Sequence, residues 1–584
     1  MSIQKLILIL LPALLTGCGM QEKKEIAEAP VTEDIRLNQV GYYPDLSKQF
    51  TLAASTGDTL TGESTPGPGN ASFSIINLDD KVVFRGELKD HGTWEPSGGT
   101  VLTGDFSALK KEGTYRIYVP GTGKSYTFEI TEHLYDSAAI DALKSYYFMR
   151  TGVEISEEYV GKFARPGGHP DDTVYFHPSS GRSEGFTSSP GGWYDAGDYG
   201  KYIINAGISA GTMLALYEWM PGTYPDGSLD IPESGNGISD LLDELKFEYE
   251  WVLTMQDTDG GVFHKLTSLR HDGITMPRNT HSKRFMIGKS TAASLDFAAM
   301  LAQASRVYSE VDAEFAARCL LAAVRAWEWA LDNPEIYFRN PEGINTGGYG
   351  DSQMKEEFFW AAAELYCTTG EGHYYELIRP ELGKITFRLE ESWRNYVDNI
   401  GYYSLYLSDR LSAEDRELLE TGIVELAEAI SEMAASNPYG IPVNRFVWGS
   451  NSDVLNTAIV QLFAYDITLD KKFLNAAVAF TDYIFGRNAT AYSFVSGYGS
   501  KYSENFHHRL LMADDNEEVF PGFVAGGPNM YMQDGRNLEA QGVEYPSDYP
   551  AKAYVDHPGS YASNEICINW NAPLVFVLTA LENL

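Results

Sequence analysis

Two short acidic motifs, far apart in the chain, contain the residues best suited to catalysis. The segment GWYDAGDYG places Asp195 and Asp198 three residues apart, with only Ala and Gly between them. Small residues allow a tight turn, so both carboxylates can face one cavity, where their mutual repulsion favours one ionised base. The second motif, YASNEICINWN, holds Glu565 among aromatic and amide side chains, which raise a carboxyl pKa and suit a general acid. The alternative for either motif is a turn or a helix cap.

The composition argues against nucleic acid as a partner and suits a neutral substrate. The 584 residues include 81 Asp and Glu but only 44 Lys and Arg, which gives a formal net charge of -37. Phosphate groups are bound by clustered Lys and Arg, so we expect neither a nucleic-acid partner nor affinity for anionic lipid. Aromatic residues make up 13% of the chain, enough to fill a core and also to stack on sugars. A secreted protein that acts on a neutral polymer would have this composition.

The first residues have the pattern of a targeting segment rather than of a folded element. After a short basic start, an apolar run leads to the tetrapeptide LTGC, which matches the lipobox where a bacterial lipoprotein is cleaved and acylated on Cys18. Gly19 follows, so the Asp that retains lipoproteins in the inner membrane is absent. We predict a signal peptide at 1–18, a flexible tether at 19–34, and a lipid-anchored protein at the outer membrane or cell surface. The alternative is an ordinary secretory signal with an unrelated cysteine.

The three remaining cysteines do not form a recognisable motif. Cys319, Cys367 and Cys567 match neither a zinc ribbon nor a CxxC redox pair. Each lies in an apolar, helix-like context, and a disulfide between two of them would leave the third unpaired. We therefore predict three buried free thiols.

Two periodicities divide the rest of the chain, whose length predicts more than one domain. From 35 to 131, alternating runs such as FSIINL and GTYRIYV are separated by Gly, Asp and Pro turns and predict an immunoglobulin-like β-sandwich. From 132 to 584 the period is helical, with loops rich in Gly, Asn, Tyr and Trp, which suggests an α/α toroid with a cleft on one face. The predicted helices cover 138–149, 207–220, 238–255, 290–307, 315–331, 357–367, 423–434, 455–466, 473–485 and the C-terminal apolar run.

Several motifs, in a fixed order, resemble glycoside hydrolase family 9, the inverting cellulases, and in particular the subgroup with an N-terminal immunoglobulin-like domain. The resemblance covers residue 35 to the C-terminus, and it implies an (α/α)6 barrel and a single-displacement mechanism. The motifs are LNQVGY at 37–42, GWYDAGD at 192–198, IPES at 231–234, ISDLLDE at 238–244, GRN at 486–488, SFVSGYG at 493–499, HHR at 507–509, GGPN at 526–529 and the block around Glu565.

The resemblance assigns a role to each carboxylate. It makes Asp198 the general base that takes a proton from the attacking water, Asp195 a residue that helps hold this water, and Glu565 the acid that protonates the leaving oxygen. An inverting enzyme needs its two carboxyls about 6.5–9.5 Å apart to fit the water. His507 and Arg509 match a His-x-Arg sequence that contacts sugar in the family.

Aromatic residues next to these motifs are candidates for stacking on glucosyl units. Each of them can equally be a core ring. The candidates are Trp193, Tyr199, Trp448 and Tyr561.

The resemblance also bears on metals, although the chemistry needs no cofactor. Relatives with a structural zinc site carry Arg-Cys-Gly and Ala-Cys-His, where this chain reads RTG at 150–152 and GGH at 167–169. Both thiolates are missing, and one His alone holds zinc poorly, so we expect no zinc. Calcium prefers oxygen ligands. The resemblance implies calcium at two pairs of residues, and at two adjacent residues that match Asp-Glu calcium ligands in some members of the family. These positions are Glu233 with Asp240, Asp514 with Asn516, and Glu356 with Glu357; the alternative for each is a solvated or helix-capping charge.

The expected function is hydrolysis of internal β-1,4-glucosidic bonds in a β-glucan such as a cellulose-like chain, mixed-linkage glucan or xyloglucan. One alternative is an exo-acting β-glucosidase or glucosaminidase of the same family, with a pocket closed by the loop 170–190. Another is a non-catalytic glycan-binding surface lipoprotein, which would need neither an acid nor a base. The immunoglobulin-like domain is expected to brace the barrel rather than to bind sugar.

Overall fold

The computed structural model describes residues 21–54, 72–385 and 397–584. The predicted signal peptide, with Cys18, lies outside these ranges. Within them a short helix is followed by a strand-rich part and then by a mainly helical part. No described helix combines the length and the apolar character needed to cross a membrane.

A β-sandwich forms the N-terminal domain. Its strands are β1 (Ile35–Arg36), β2 (Gly41–Tyr42), β3 (Gln49–Ala54), β4 (Ser72–Asn77), β5 (Val82–Trp94), β6 (Gly99–Asp105), β7 (Gly113–Val119), β8 (Gly123–Lys124) and β9 (Phe128–Ile130). One sheet has the order β1-β3-β6-β5, the other β5-β4-β7-β9-β2, and β8 pairs with β7. The long strand β5 belongs to both sheets, because its first part pairs with β4 and its second part with β6.

Alternating side chains fill the space between the two sheets. Phe50, Phe73, Ile75 and Ile117 come from neighbouring strands and are fully buried in one cluster. The rings of Phe50 and Phe73 meet edge to face with centroids 4.9 Å apart, a favourable aromatic geometry. The alternating pattern of the sequence therefore corresponds to one buried face on each strand.

The segment before the sandwich is folded, so the prediction of a flexible tether is wrong over its described part. Residues 21–28 form a helix whose Ile26 is buried against Ile76 and Tyr118 of the sandwich. The next residues are also fixed, since the Thr32 amide donates to the Lys124 carbonyl at 2.8 Å. The polar composition concealed this docking, because Ile26 is the one fully buried apolar side chain of the helix, and a Glu22–Arg85 ion pair adds a polar contact to the sandwich.

Twelve helices in the described chain, the shortest of seven residues, form the second domain. They are α1 (Asp136–Met149), α2 (Ile203–Trp219), α3 (Asp240–Thr254), α4 (Thr291–Tyr308), α5 (Ala313–Asp332), α6 (Lys355–Thr369), α7 (Gly372–Ile378), α8 (Val397–Leu407), α9 (Ala413–Ala435), α10 (Ser450–Thr468), α11 (Lys471–Ile484) and α12 (Ile568–Asn583). Short helical turns lie in the loops at Glu157–Val160, Arg509–Ala513 and Gly535–Glu539.

The twelve helices make an inner and an outer ring. The inner helices pack side by side in the order α8-α6-α4-α2-α12-α10, and the other six cover them from outside. Burial follows this arrangement: α2 is buried on all sides from Ile203 to Leu216, whereas α5 and α11 bury one stripe each. A helix that is apolar all round belongs in a core, and an amphipathic one belongs at its surface. The domain is the predicted (α/α)6 barrel.

The predicted helices are all present, but α7 and α8 were not predicted. Nearly every residue of α8 is buried, so no helical stripe is visible in its sequence, and Gly401 lowers its intrinsic helix propensity. Helix α9 also begins earlier than predicted, at Ala413, because the Ser412 hydroxyl caps it by accepting from the Asp415 amide.

The sandwich and the barrel meet through specific contacts. The Asn38 amide donates to the Asp482 carboxylate at 2.9 Å, and the Gln39 amide donates to the Ala491 carbonyl at 2.8 Å. The Trp94 ring at the end of β5 packs on Tyr439, with centroids 5.1 Å apart. The first domain therefore contacts the barrel as a brace would.

A small sheet and the cysteines complete the fold. The sheet has the order β11-β10-β14-β13-β12, and its strands are β10 (Val174–Phe176), β11 (Phe186–Thr187), β12 (Lys201–Tyr202), β13 (Phe263–Thr267) and β14 (Arg284–Lys289). The three cysteines of the described chain are buried and unpaired, as predicted.

Candidate active site

The acidic pair of the DAGD motif lies in a tight turn just before β12 and α2. The Asp195 amide donates to the Gly200 carbonyl at 3.1 Å, which closes the turn. Asp195 is fully buried, and its two carboxylate oxygens accept from the Asn205 amide and the Tyr349 hydroxyl, both at 2.7 Å. Burial, and after it the negative charge of Asp198, raises the pKa of Asp195 to about 7. Asp195 therefore lies behind the cavity surface, and its contact with the attacking water stays a prediction.

Asp198 faces the open space. Its Oδ2 accepts from the Tyr202 hydroxyl at 2.9 Å and lies 3.3 Å from Nδ1 of His271. Burial by itself favours the neutral acid. The hydrogen bond and charge of His271, together with the charge of Arg509, outweigh burial and lower the pKa of Asp198 to about 2. Asp198 is thus ionised over the whole neutral range, as a base must be.

Glu565 approaches the same space from the segment that leads into α12. Its strand-like backbone pairs with His507, and its Oε1 accepts from the Gly197 amide at 3.2 Å. Burial raises the pKa of Glu565 well above its usual range, and the negative charge of Asp198 adds to this effect. A carboxyl group that keeps its proton at neutral pH is suited to act as a general acid.

One cavity of about 390 Å³ brings these groups together. Its wall comes from loops at one end of the barrel that are distant in sequence, as expected for a site built on the barrel loops. The residues that line it are Ala196, Asp198, Tyr202, His271, Gly347, Tyr349, Trp448, His507, Arg509, Tyr561 and Glu565.

The predicted His-x-Arg pair lies on this wall. Nδ1 of His507 is 2.8 Å from the Pro558 carbonyl, so this nitrogen donates and Nε2 remains as an acceptor. Arg509 donates from Nε to the Asp272 carbonyl at 2.8 Å and from Nη1 to the Gly197 carbonyl. Arg509 thereby fixes the DAGD turn, in addition to placing a positive charge beside Asp198.

The four predicted stacking rings divide into two pairs. Trp448 and Tyr561 are half-buried on the cavity wall, with centroids 5.6 Å apart, where a sugar ring can reach them. Trp193 and Tyr199 were predicted wrongly. The Trp193 ring is buried and donates to Glu244 at 2.8 Å, and the buried Tyr199 donates to the Thr275 carbonyl at 2.8 Å.

Sequence reasoning missed three groups at the site. Tyr202 follows Asp198 by four residues, close enough that the extended motif was a usable signal. Tyr349 and His271 lie in irregular loops far from any recognised motif, and only the fold brings them to the carboxylates. No pattern in the sequence marks them.

Two of the predicted calcium ligands are already bound by protein donors. Glu233 pairs with the Arg150 guanidinium at 2.9 Å. Asp240 accepts from the backbone amides of Gly227 and Leu229 at 3.0 and 2.7 Å. Both carboxylates thus have protein donors, and calcium at this pair remains a prediction.

The second predicted pair, Asp514 and Asn516, is held together by its own hydrogen bonds. The Asn516 backbone amide donates to Asp514 at 3.2 Å, and the Asn516 side-chain amide donates to it at 3.3 Å. Among the described residues, no group of three potential metal ligands includes either of them. Calcium at this pair remains a prediction.

Glu356 and Glu357 belong to a buried acidic cluster at the start of α6. Oxygens of Asp351, Glu356 and Glu357 lie within 4.8 Å of one another. Oδ2 of Asp351, Oε2 of Glu357, Oδ1 of Asp296 and Oδ1 of Asp398 accept no hydrogen bond from any described residue. Burial, and with it the mutual charge of this cluster, raises the pKa values of Asp296 and Glu357 well above their usual range. Buried carboxylates of this kind need a cation or protons.

The remaining residue of the family zinc position is engaged elsewhere. Nδ1 of His169 is 2.8 Å from the Tyr194 hydroxyl, and its Nε2 is 2.5 Å from the Thr280 hydroxyl. Both ring nitrogens thus have polar partners within the protein. With Thr151 at the neighbouring position, the residues present do not fit a zinc ion.

A substitution at Gly197 would test how closely the Glu565 carboxyl is packed. A Cβ there would lie 2.5 Å from the His507 carbonyl oxygen and 2.7 Å from Oε1 of Glu565. We expect Gly197→Ala to displace the acid and to lower kcat about 100-fold, since a misplacement of about 1 Å costs this much. Gly185→Ala is the control, because its nearest neighbours lie 3.8 Å away. Equal steady-state rates for the two folded variants would contradict the contact between Gly197 and the acid.

Comparisons with known proteins agree with this site. Residues 135–578 match the model for Glycosyl hydrolase family 9, and residues 31–124 match the Cellulase N-terminal ig-like domain. The chain is 37% identical over 574 residues to the "Xyloglucan-specific endo-beta-1,4-glucanase BoGH9A" of Bacteroides ovatus, covering 94% of each chain. It is 33% identical to a "Cellulose 1,4-beta-cellobiosidase" of Acetivibrio thermocellus, covering 94% of this chain and 67% of that one.

Structural similarity leads to the same family. A solved structure described as "Bacteroides ovatus GH9" superposes with a TM-score of 0.84 at 36% identity, covering 94% of this chain and 99% of that one. Its fold, the two matched models and the position of Asp198 and Glu565 on one cavity wall all agree with the motifs of the sequence. The chain therefore belongs to glycoside hydrolase family 9, and it is a glycoside hydrolase with a cellulase-type N-terminal immunoglobulin-like domain.

Proposed function

We propose that the protein hydrolyses internal β-1,4-glucosidic bonds of a β-glucan with inversion of the anomeric carbon. The observation that carries this proposal is the pairing of an ionised carboxylate, Asp198, with a protonated carboxyl, Glu565, on one cavity wall. Two carboxyl groups in opposite protonation states are what a single displacement at a glycosidic carbon requires.

Each step can be written for these two residues. Asp198 removes a proton from a water molecule, whose oxygen bonds to the anomeric carbon as the bond to the leaving oxygen breaks. Glu565 gives its proton to that oxygen. The products are an inverted hemiacetal and a shortened chain, and proton exchange with solvent returns both residues to their starting states.

The choice of an endo-acting enzyme rests on which residues line the cavity. None of the described residues in 170–190, the loop predicted to close a pocket, lines the cavity. Arg182 of this loop instead pairs with Asp257 at 2.5 Å, and His177 bonds to Ser179 at 2.8 Å. Xyloglucan is our first choice of substrate because the relative at 37% identity is named for it.

The test is a product profile on xyloglucan, mixed-linkage glucan and cellohexaose, with the anomer of the first product followed by proton NMR. We expect a rapid fall in polymer viscosity, oligosaccharides of several lengths and an initial α-anomer. Release of only glucose or cellobiose from the start would favour the exo-acting alternative. An initial β-anomer would contradict the inverting mechanism.

We also propose that calcium binds at Asp351, Glu356 and Glu357. All three ligands are oxygens, as this ion prefers, and several neighbouring carboxylate oxygens have no described hydrogen-bond donor. None of the three residues lines the cavity, so calcium would stabilise the fold and supply no chemistry. Zinc is not part of this proposal, since both nitrogens of His169 have protein partners.

Calcium should therefore raise the melting temperature. With calcium at about 100 times its Kd, linkage predicts stabilisation by about 2.7 kcal/mol relative to the chelated protein. Calorimetry with calcium and with a chelator measures this difference, which Glu357→Gln should abolish and the exposed Glu342→Gln should preserve. A melting temperature that is the same in both buffers would contradict calcium binding.

The membrane anchor is a further proposal, and it rests on the lipobox of the sequence. Cys18 precedes the docked helix at 21–28 by only three positions, so an acyl chain on Cys18 would hold the sandwich close to the membrane surface. Detergent-phase partitioning of the protein expressed with its own leader tests this, with Cys18→Ala as the comparison. If the wild type stays in the aqueous phase, the anchor is absent.

A further inference from the structure

A buried lysine lies directly behind the two aspartates. Lys265, in β13, has no exposed surface, and its Nζ forms no ion pair within 4 Å with any described residue. It donates instead to Oδ1 of Asn340 at 2.7 Å, to Oγ1 of Thr346 at 3.1 Å and to the Gly347 carbonyl. Burying an ammonium group without a carboxylate partner is costly, so such a residue needs an explanation in function or in folding.

On one side the ammonium holds the loop that supplies Tyr349. Gly347, which Lys265 binds, lies on the cavity wall two residues before Tyr349, the residue that donates to Asp195 at 2.7 Å. The loop is tightly packed there, since a Cβ on Gly347 would lie 2.9 Å from the Tyr349 ring and 3.3 Å from Tyr202. Small movements of the Gly347 carbonyl would therefore be passed to the Tyr349 hydroxyl.

On the other side the same lysine contacts the residue that binds Asp198. Lys265 is the cross-strand partner of Tyr202 between β12 and β13, and its Nζ lies 5.5 Å from the centroid of the Tyr202 ring. Tyr202 donates to Asp198 at 2.9 Å, and its ring meets Tyr349 edge to face at 4.9 Å. One ammonium group thus lies against the Tyr202 ring directly and reaches Tyr349 through the Gly347 carbonyl.

We propose that Lys265 is a positioning residue for the hydrolytic reaction, which holds Tyr349 and Tyr202 against Asp195 and Asp198 and supplies a positive charge from the protein side of the acidic pair. This rests on the proposed role of Asp198 as the general base. Lys265 itself does not line the cavity, so it acts only through its neighbours.

The electrostatic part of the proposal follows from mutual coupling. Burial lowers the pKa of Lys265 to about 7, and the charges of Asp198 and Asp195 oppose this shift. The coupling works in both directions, so removing the ammonium makes both carboxylates harder to ionise. His271 and Arg509 contribute positive charge from the cavity side, and the phenols of Tyr202 and Tyr349 lie between the ammonium and the acids.

The neighbouring His264 provides a matched comparison. Its Nε2 is 2.9 Å from the Gly348 carbonyl in the same loop, and its Nδ1 is 2.8 Å from the Ser290 hydroxyl. Burial lowers the pKa of His264 to about 3, so it holds the loop as a neutral group. His264→Gln therefore weakens the loop without removing a charge, and Lys265→Met removes the charge while keeping the length of the side chain.

The experiment measures kcat, KM and the pH dependence of kcat/KM on cellohexaose for both variants and the wild type. For Lys265→Met we expect kcat to fall at least about 10-fold with KM changed less than about 3-fold, because bound substrate does not touch the lysine. We expect the acid limb of its kcat/KM profile to move up by about half a pH unit or more. His264→Gln should lower kcat without moving this limb.

Several outcomes would overturn the proposal. A lower kcat with an unmoved acid limb in Lys265→Met would make the lysine a purely structural residue, and unchanged kinetics would give it no role. Near-ultraviolet circular dichroism shows whether Lys265→Met folds. If it does not, Asn340→Ala and Thr346→Val replace it, because each removes one partner of Nζ and keeps the charge. Unchanged kcat in both of these variants overturns the positioning role.

A double-mutant cycle with Tyr349→Phe tests the route of the effect. If Lys265 acts through Tyr349, the change in log kcat of the double variant should be smaller than the sum of the changes in the two single variants, and full additivity would contradict this route. A failure of the proposed function would give a different result, because Asp198→Asn would then remain active whether or not Lys265 is substituted.

Discussion

Asp198→Asn should lower kcat on a soluble β-glucan about 10³-fold while leaving KM within a factor of a few. The amide has nearly the same shape, and its oxygen can still accept from the Tyr202 hydroxyl, so the wall of the cavity is preserved. It cannot take a proton from water, and general base catalysis of this kind contributes about 10²–10⁴-fold. The comparison of initial rates at saturating substrate measures this loss.

Chemical rescue makes the same test more specific. Asp198→Ala leaves space beside His271 for a small anion, and azide there should attack the anomeric carbon without needing a base. We expect azide to restore turnover and to yield the α-glycosyl azide of the fragment. Asp272→Asn is the control, since that carboxylate bonds to Ser282 and is not on the cavity wall. Near-normal turnover of Asp198→Asn would identify a different base.

Glu565→Gln should also lower kcat about 10³-fold on the polymer, for the opposite reason. The amide cannot give a proton to the leaving oxygen, which otherwise departs as a strongly basic alkoxide. An aryl cellobioside with a dinitrophenolate leaving group needs no proton, so the loss on this substrate should be much smaller. Asp198→Asn should lose activity on both substrates, which separates the acid from the base. Equal losses of Glu565→Gln on the two substrates would contradict the role of Glu565.

The pH dependence of kcat gives an independent test of the role of Glu565. Its pKa is raised by burial and by the charge of Asp198, so the protonated, active form persists above the usual range of a Glu. Activity should then fall on the alkaline side, as pH rises through this raised pKa, and kcat of Glu565→Gln should lack that limb. Asp198, with its pKa lowered to about 2, should not limit activity between pH 4 and 8.

The relation between sequence and structure differs from one group to the next. The proposed acid, the proposed base and the His-x-Arg pair were identified through the resemblance to glycoside hydrolase family 9, whose motifs this chain matches in the same order. The same motifs misled us about Trp193 and Tyr199, which adjoin the catalytic turn but point into the core. Nearness in sequence to a catalytic residue does not determine which way a ring faces.

The predicted calcium ligands show a second limit. Glu233 and Asp240 are acidic residues at matching positions, yet Arg150 and two backbone amides already satisfy them. In the cluster of Asp351, Glu356 and Glu357, Oδ2 of Asp351 and Oε2 of Glu357 accept no hydrogen bond from a described residue, and Asp351 had no signal in the sequence. Whether a carboxylate is free to bind a cation depends on its hydrogen bonds, and these are set by tertiary contacts.

The sequence alone determined the two domains, the helical and strand periodicities and the three free thiols, because each depends on residue type and short-range spacing. The proposed acid–base pair came from the resemblance to the family. Only the tertiary structure decided that residues 21–28 dock on the sandwich, that Tyr349 and His271 reach the aspartates, and that Lys265 lies behind them. These contacts join segments separated by tens or hundreds of residues, and no local pattern records the distances between them. The opposite protonation of Asp198 and Glu565 also belongs to the fold, since burial and neighbouring charges set it.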